Sequence, residues 1–231
     1  MHDIWKNSLE WKEQLWRYLT TERFTWLMEH SCVYFAAATQ FTDPFEGAVA
    51  VLPPDFPVDP RYERMEPAEK AFFDLKRLTK INCWHRANYE SDAMWKLYAG
   101  ESRGVAVCST PERMRAAFRP FRFASHYGVE DLWAGAVRYE DLTKIRMNAG
   151  MLERFFYKHR AFSWEREFRL AISVRMAEEF GVNVPDLGIK VSVDIDALVE
   201  RIMIGPMLVA PEKVRSRARG VDVRHNSARV S

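Results

Sequence analysis

A chain of 231 residues that is 48% hydrophobic and 29% charged has the composition of a globular protein with material for one good core. Its 34 basic against 32 acidic residues leave a net charge of +2, which gives no global electrostatic case for nucleic acid or membrane binding. Eight Trp and fifteen Phe favour a dense core and surfaces on which a flat ring can stack.

In chain order, residues 3–14 predict a short amphipathic helix with Ile4, Trp5, Leu9 and Trp11 as its apolar points. Leu15 to Leu19 is β-prone. Thr20 or Thr21 is placed to cap a helix from Glu22 to His30, and Cys32 to Ala36 predicts a strand. Residues 37–66 form an irregular Pro-rich loop, opened by a turn at Asp43-Pro44 and Gly47 and broken again by Pro53, Pro54, Pro57 and Pro60. A helix from Pro67 to Lys80 and a strand from Ile81 to Trp84 follow. Ser91 caps a helix from Asp92 to Ala99. Gly104 to Ser109 predicts a strand, Pro111 to Arg119 a helix, Gly135 to Tyr139 a strand and Met151 to His159 a helix. The last third predicts strands at 164–174, 189–193, 201–205 and 221–224, with helices at 195–200 and 211–219. Short strands and helices without a regular βαβ rhythm predict a single α+β domain over 1–231, with mixed, largely antiparallel strands packed with several helices.

The stretch Trp164 to Val174 carries the densest chemistry. Period-two alternation places Trp164, Phe168, Leu170, Ile172 and Val174 on one face, broken only by Arg166, and Glu165, Glu167 and Arg169 on the other. The two carboxylates would then be one strand step apart, about 6.6 Å. Such a face is either a solvated surface with a Glu167–Arg169 pair or a site that works on a developing positive charge. Three further clusters stand beside it. Arg17-Tyr18 sets a phosphate-gripping fork on an early strand. Asp43 and Glu46 sit in a turn bracketed by Phe41 and Phe45. Trp84 is followed by Ser91, Trp95 and Tyr98, which share one helix face at i, i+4 and i+7 spacing and suit a ring sandwich or a core stripe.

Cys32, Cys83 and Cys108 form no CxxC pair, and the histidines have no ligand spacing, so no metal is expected. No phosphate-binding loop, dinucleotide fingerprint or nucleophile elbow occurs. Met1 to Asn7 has no apolar signal core, and no run approaches the ~18 apolar residues of a membrane span, so a cytoplasmic protein without membrane partners is expected. From Pro211 to Ser231, Lys213, Arg215, Arg217, Arg219, Arg224 and Arg229 face only Glu212 and Asp222. This basic C-terminal end is either a solvated helix face or a nucleic-acid contact.

Taken together, Leu15 to Leu19, Phe41 to Glu46, Cys83-Trp84, Met94 to Tyr98, Gly104 to Val107, Lys158 and Glu165 to Arg169 resemble a bacterial family catalogued as domain of unknown function 2971. Thr42 stands where that family usually has Asn. Glu165-x-Glu167-Phe168 also resembles the Glu-x-Glu strand of ADP-ribosyltransferases, in which an early strand supplies Arg or His, a middle strand Ser/Thr or Tyr and a late strand the catalytic Glu. That second resemblance implies NAD as substrate. Glu167 would stabilise an oxocarbenium-like ribose and Glu165 would orient or deprotonate the acceptor. Arg17 would grip the pyrophosphate and Trp95 or Tyr98 would stack on a ring. Tyr18, Asp43, Glu46, Trp84, Ser91, Lys158 and Arg169 complete the expected nucleotide site. The acceptor would be a protein or a nucleic acid, as for a toxin or phage-defence effector. A non-catalytic ligand-binding or regulatory module and a glycosidic hydrolase using the Glu pair are the alternatives.

Overall fold

The computed structural model describes residues 1–43, 45–49, 66–218 and 220–225. Pro44, most of the Pro-rich loop and the last residues of the basic end lie outside them. The strands are β1 (His2–Asp3), β2 (Leu15–Leu19), β3 (Cys32–Ala37), β4 (Thr79–Arg86), β5 (Val105–Ser109), β6 (Trp133–Ala136), β7 (Arg138–Glu140), β8 (Tyr157–His159), β9 (Glu167–Ser173), β10 (Gly188–Ser192), β11 (Arg201–Ile204) and β12 (Asp222–His225). The helices are α1 (Thr21–His30), α2 (Glu66–Leu78), α3 (Asp92–Tyr98), α4 (Pro111–Ala117), α5 (Arg175–Glu179), α6 (Ile195–Leu198) and α7 (Pro211–Arg217). The architecture is α+β, with mostly antiparallel pairing, as the absence of a βαβ rhythm predicts.

Two compact units share the chain. The first comprises residues 1–7, 34–82 and 121–189; the second comprises 8–33, 83–120 and 190–231. Each is assembled from three separate segments, so no single cut in the sequence divides them.

In the first unit β9 pairs antiparallel with β6, matching Phe168 to Ala136 and Ala171 to Trp133. β1 joins β6 in parallel. A separate parallel pair, β7 with β8, matches Tyr139 to Lys158. Phe155, Phe156, Phe168, Leu170 and Ile172 are buried and form the apolar heart of the unit. Lys80, on β4, is also fully buried. Its Nζ donates to the carbonyls of Arg77 (2.7 Å), Pro185 (2.6 Å) and Asp186 (3.2 Å), tying the end of α2 to the 185–186 loop. Burial lowers this ammonium to about 8, with Arg77 adding to the effect.

The second unit lays β4, β2, β5, β11 and β12 side by side. β2 runs antiparallel to β5, with Trp16 opposite Cys108, and β11 runs antiparallel to β5 and parallel to β12. α1 begins where expected, because the Thr20 side chain accepts from the Arg23 amide, and it ends at left-handed Ser31. Ser91 and Thr110 cap α3 and α4 in the same way.

Four predicted elements differ. Residues 3–14 form no helix. The Asp3 carboxylate accepts from the Trp5 amide, and Lys6 and Asn7 adopt left-handed backbone, which closes a turn instead. Trp5 is then fixed by its Nε1 donating to Ala136 O at 2.7 Å and by the Arg138 guanidinium at 3.7 Å from its ring. Residues 151–159 are a 3₁₀ turn (Glu153–Phe156) leading into β8, so Lys158 sits on a strand. Residues 135–139 split into β6 and β7. The strand predicted from Trp164 begins only at Glu167, because residues 160–165 form a 3₁₀ helix and Arg166 is left-handed at φ 43°.

Lys80→Met removes a buried ammonium that donates to three carbonyls. Chemical denaturation is expected to show a loss of about 2 kcal/mol, the scale of hydrogen bonds made by a charged group, whereas Lys70→Met on the exposed face of α2 leaves the midpoint unchanged.

Candidate functional site

A buried chain of ionised groups occupies the first unit. It starts from Arg169, the third residue of β9, which is fully buried. A guanidinium out of water needs every N–H satisfied. Nε donates to Glu167 Oε2 at 2.8 Å and Nη2 to Glu167 Oε1 at 3.1 Å, a bidentate fork along one strand face. Nη1 donates to Glu46 Oε1 at 2.5 Å and Nη2 to Glu46 Oε2 at 3.1 Å, a second fork. Nη1 also reaches Phe155 O at 2.6 Å. These five bonds match the five donors of the group.

Glu46 arrives from a built turn. The Asp43 carboxylate accepts from the Phe45 amide at 2.9 Å, and the Glu46 amide donates to Asp43 O at 3.2 Å. Gly47 follows at φ 76°, pressed against the Phe155 ring so closely that a Cβ would fall 2.5 Å from a ring carbon. Asp43 therefore shapes the turn, and Glu46 is the member that enters the site.

The other end is formed by Lys158, Glu165 and Glu167. Lys158 Nζ donates to Glu165 Oε2 at 2.5 Å and to Glu167 Oε1 at 2.9 Å, and lies 4.6 Å from the Phe162 ring centroid. Tyr139, the strand partner of Lys158, accepts from the Glu167 amide at 2.7 Å through its hydroxyl oxygen. Lys158, Glu165 and Glu167 each keep 7–8% of their surface exposed, while Arg169 and Glu46 are sealed at 0% and 1%. The cluster thus has a closed end and an end that touches solvent.

Burial and the neighbouring charges together set the protonation pattern. Lys158 and Arg169 balance Glu46 and Glu167, and an ionised Glu165 would leave one uncompensated buried negative charge. Burial pushes the Glu165 carboxyl up to about 7, its hydrogen bond with Glu167 adds to this, and Lys158 opposes it. Burial acts on Glu167 in the same sense, but Arg169 and Lys158 outweigh it and hold that carboxyl well below the usual range. Burial is the largest single influence on the Lys158 ammonium and lowers it, but the charge and hydrogen bonds of Glu167 and Glu165 together outweigh it, so the group stays charged. Burial and the Glu167 charge both push the Tyr139 phenol up. Two neighbouring acids are therefore held in opposite states, one ionised and one poised to exchange a proton.

The structure places the residues singled out in the sequence in two groups. Asp43, Glu46, Lys158, Glu165, Glu167 and Arg169 belong to the first unit and converge as described. Of the two readings of this face, the solvated surface is excluded because Glu167 and Arg169 are buried, although the Glu167–Arg169 pair itself forms. Glu165 reaches the cluster from the 3₁₀ turn and not from the strand. Tyr139, Phe155 and Phe162 were not singled out; the strand alternation at 135–139 was the only signal for Tyr139.

Arg17, Tyr18, Trp84, Ser91, Trp95 and Tyr98 belong to the second unit. The Arg17 guanidinium lies 5.8 Å from the Trp84 ring centroid, its Nη1 is buried without a hydrogen-bond partner, and burial lowers it to about 10. Tyr18 accepts from the Ser91 amide at 2.8 Å and meets Trp95 edge-on at 5.1 Å. Trp95 is 2% exposed and donates to Glu90 Oε2 at 3.0 Å, whereas Tyr98 is 43% exposed. The expected pair of stacking rings is not formed, because Trp95 is consumed by the core of the unit. Ser91 is a helix cap and Trp84 is buried.

No protein-family model matches this chain, and neither a curated protein nor a solved structure matches it. Among the described residues, no helix is long and apolar enough to cross a membrane, and no three His, Cys, Asp or Glu side chains are grouped to hold a metal ion.

The raised Glu165 carboxyl has a definite consequence for stability. Between about 4.5 and about 7 the native state binds more protons at this position than the unfolded chain, so its contribution, complete below 4.5, is lost as pH rises through 7. Urea titrations from pH 5 to 8 are expected to show wild type losing stability relative to Glu165→Gln, which has no proton to release. Parallel pH profiles for the two proteins would contradict the assignment.

Proposed function

We propose that the first unit carries an acid–base site for cleaving an N-glycosidic bond, with NAD as the donor, in the manner of an ADP-ribosyltransferase or NAD glycohydrolase. The observation that carries the proposal is the pair Glu165 and Glu167, bonded to one lysine nitrogen and held in opposite protonation states. Loss of nicotinamide develops positive charge on the ribose. Glu167, permanently ionised, stabilises that charge at the end of the cluster that touches solvent. Glu165 changes protonation near neutrality and removes the proton of the attacking acceptor or water. Lys158 fixes the spacing between them, and Arg169 with Glu46 anchors Glu167 from behind. The order of motifs that resembles ADP-ribosyltransferases lends the same reading support at Glu167. The early Arg17 and the Trp95 helix lend it none by their contacts. The three cysteines are free thiols, which suits a cytoplasmic site of action.

A second reading, hydrolysis of an ordinary glycosidic bond by the same Glu pair, is favoured by one carboxyl that is raised toward neutrality beside one that is held ionised.

Purified protein incubated with NAD is expected to release nicotinamide at a rate that rises through pH 7 as Glu165 ionises. Glu167→Gln should slow release by about 100-fold or more, and Glu165→Gln should flatten the pH dependence. If wild type releases no nicotinamide and NAD leaves its melting temperature unmoved, the proposal is wrong. Glycoside turnover with NAD intact selects the second reading.

A further inference from the structure

The second unit contains a pocket of its own. Strand register builds its floor. Trp16 on β2 stands opposite Cys108 on β5, which stands opposite Arg201 on β11, which stands opposite Asp222 on β12. The adjacent row, two residues along, runs Tyr18, Ala106, Met203 and Arg224. Directly opposed residues point to the same side of a sheet, so both rows share one face. α3 covers the inner part of that face, where Met94 and Trp95 pack on Trp16, Tyr18, Ala106, Cys108 and Met203. Beyond the helix the face turns charged and remains open. There Gln14, Trp16, Arg201, Met203 and Arg224, with the 88–90 loop as a wall, enclose a cavity of about 380 Å3. That is within the range of small-molecule sites.

Its chemistry is specific. The Arg201 guanidinium lies 5.3 Å from the Trp16 ring centroid, donates to Cys108 Sγ at 3.5 Å and approaches Glu200 only to 3.7 Å. Its Nε is buried with no hydrogen-bond partner. Arg224 is well exposed and shares Asp222 at 2.8 Å. Two guanidiniums at one pocket, one of them under-satisfied, suit an anion. Tyr89 is 68% exposed on the wall, an aromatic surface without a core to fill. Glu90 beside it accepts from Trp95 Nε1 through Oε2. Burial raises this carboxyl, against Trp95 and Arg201, so it gains from a further donor.

We infer that this pocket binds a small anion bearing a flat ring, of the nucleoside monophosphate class. Arg201 and Arg224 take the phosphate, Tyr89 stacks on the base, and Glu90 accepts from the base's amino edge. The site lies wholly in the second unit and does not depend on NAD cleavage by the first.

Calorimetric titration of the full chain with inorganic phosphate, AMP and GMP tests it. Both nucleotides are expected to bind more tightly than phosphate. Tyr89→Ala should weaken the nucleotides at least fivefold and leave phosphate unchanged, in keeping with the worth of one base stack. Arg224→Gln should weaken all three. Both side chains are exposed, so matched melting temperatures will show that the variants are folded. No binding by any of the three, nucleotides no tighter than phosphate, or nucleotide affinities untouched by both substitutions would each overturn the inference.

Discussion

The first unit is organised around the desolvation of Arg169. Placing a guanidinium at zero exposure is among the costliest acts in folding, and it is tolerated only where charge and all five donors are met. Here two carboxylates and one carbonyl meet them, and each comes from a different part of the chain. Glu167 is supplied by the same strand, Phe155 by the 3₁₀ turn before β8, and Glu46 by a turn more than a hundred residues earlier. The ion therefore specifies which segments must meet more than it adds net stability. An apolar replacement could fill the same volume, but it would not demand Glu46 at that position.

Because the cation is fully used, the rest of the cluster is short of positive charge. Lys158 bonds both Glu165 and Glu167, and Arg169 commits one of its forks to Glu167. The outcome is asymmetric: Glu167 receives two cations and Glu165 receives one. The acid with less compensation keeps the proton. Position on the chain reinforces this, since Glu167 begins a strand buried along nearly its whole length, while Glu165 ends a 3₁₀ turn beside exposed Trp164.

Much of this was legible in the sequence where short-range physics decides. Leu15 to Leu19, the Thr20 cap and the Ser91 cap are fixed by local alternation and by side chains that replace missing backbone partners. Glu46, Lys158, Glu165, Glu167 and Arg169 could be named because charged residues among aromatics are conspicuous. How they meet was not legible. Arg166 interrupted the apolar face of the predicted strand, and the structure turns that interruption into a left-handed residue that ends one element and starts the next. Lys158 follows a 3₁₀ turn that ends at Phe156, and pairing with β7 holds Tyr157 to His159 extended in place of the predicted helix. Trp95 and Tyr98 share a helix face at ideal spacing, but α3 is a two-turn helix and only its inner turn faces the core. Spacing shows which residues share a face and is silent on how far down that face the core extends.

Glu46 ties the distant turn to the cluster by satisfying Arg169, and Arg169 together with Lys158 holds Glu167 ionised. Glu165 sits at the end that touches solvent, where burial and the neighbouring Glu167 outweigh Lys158 and raise its carboxyl to about 7. A purely structural salt bridge needs one acid for Arg169; the third carboxyl is what gives the cluster a group that titrates near pH 7.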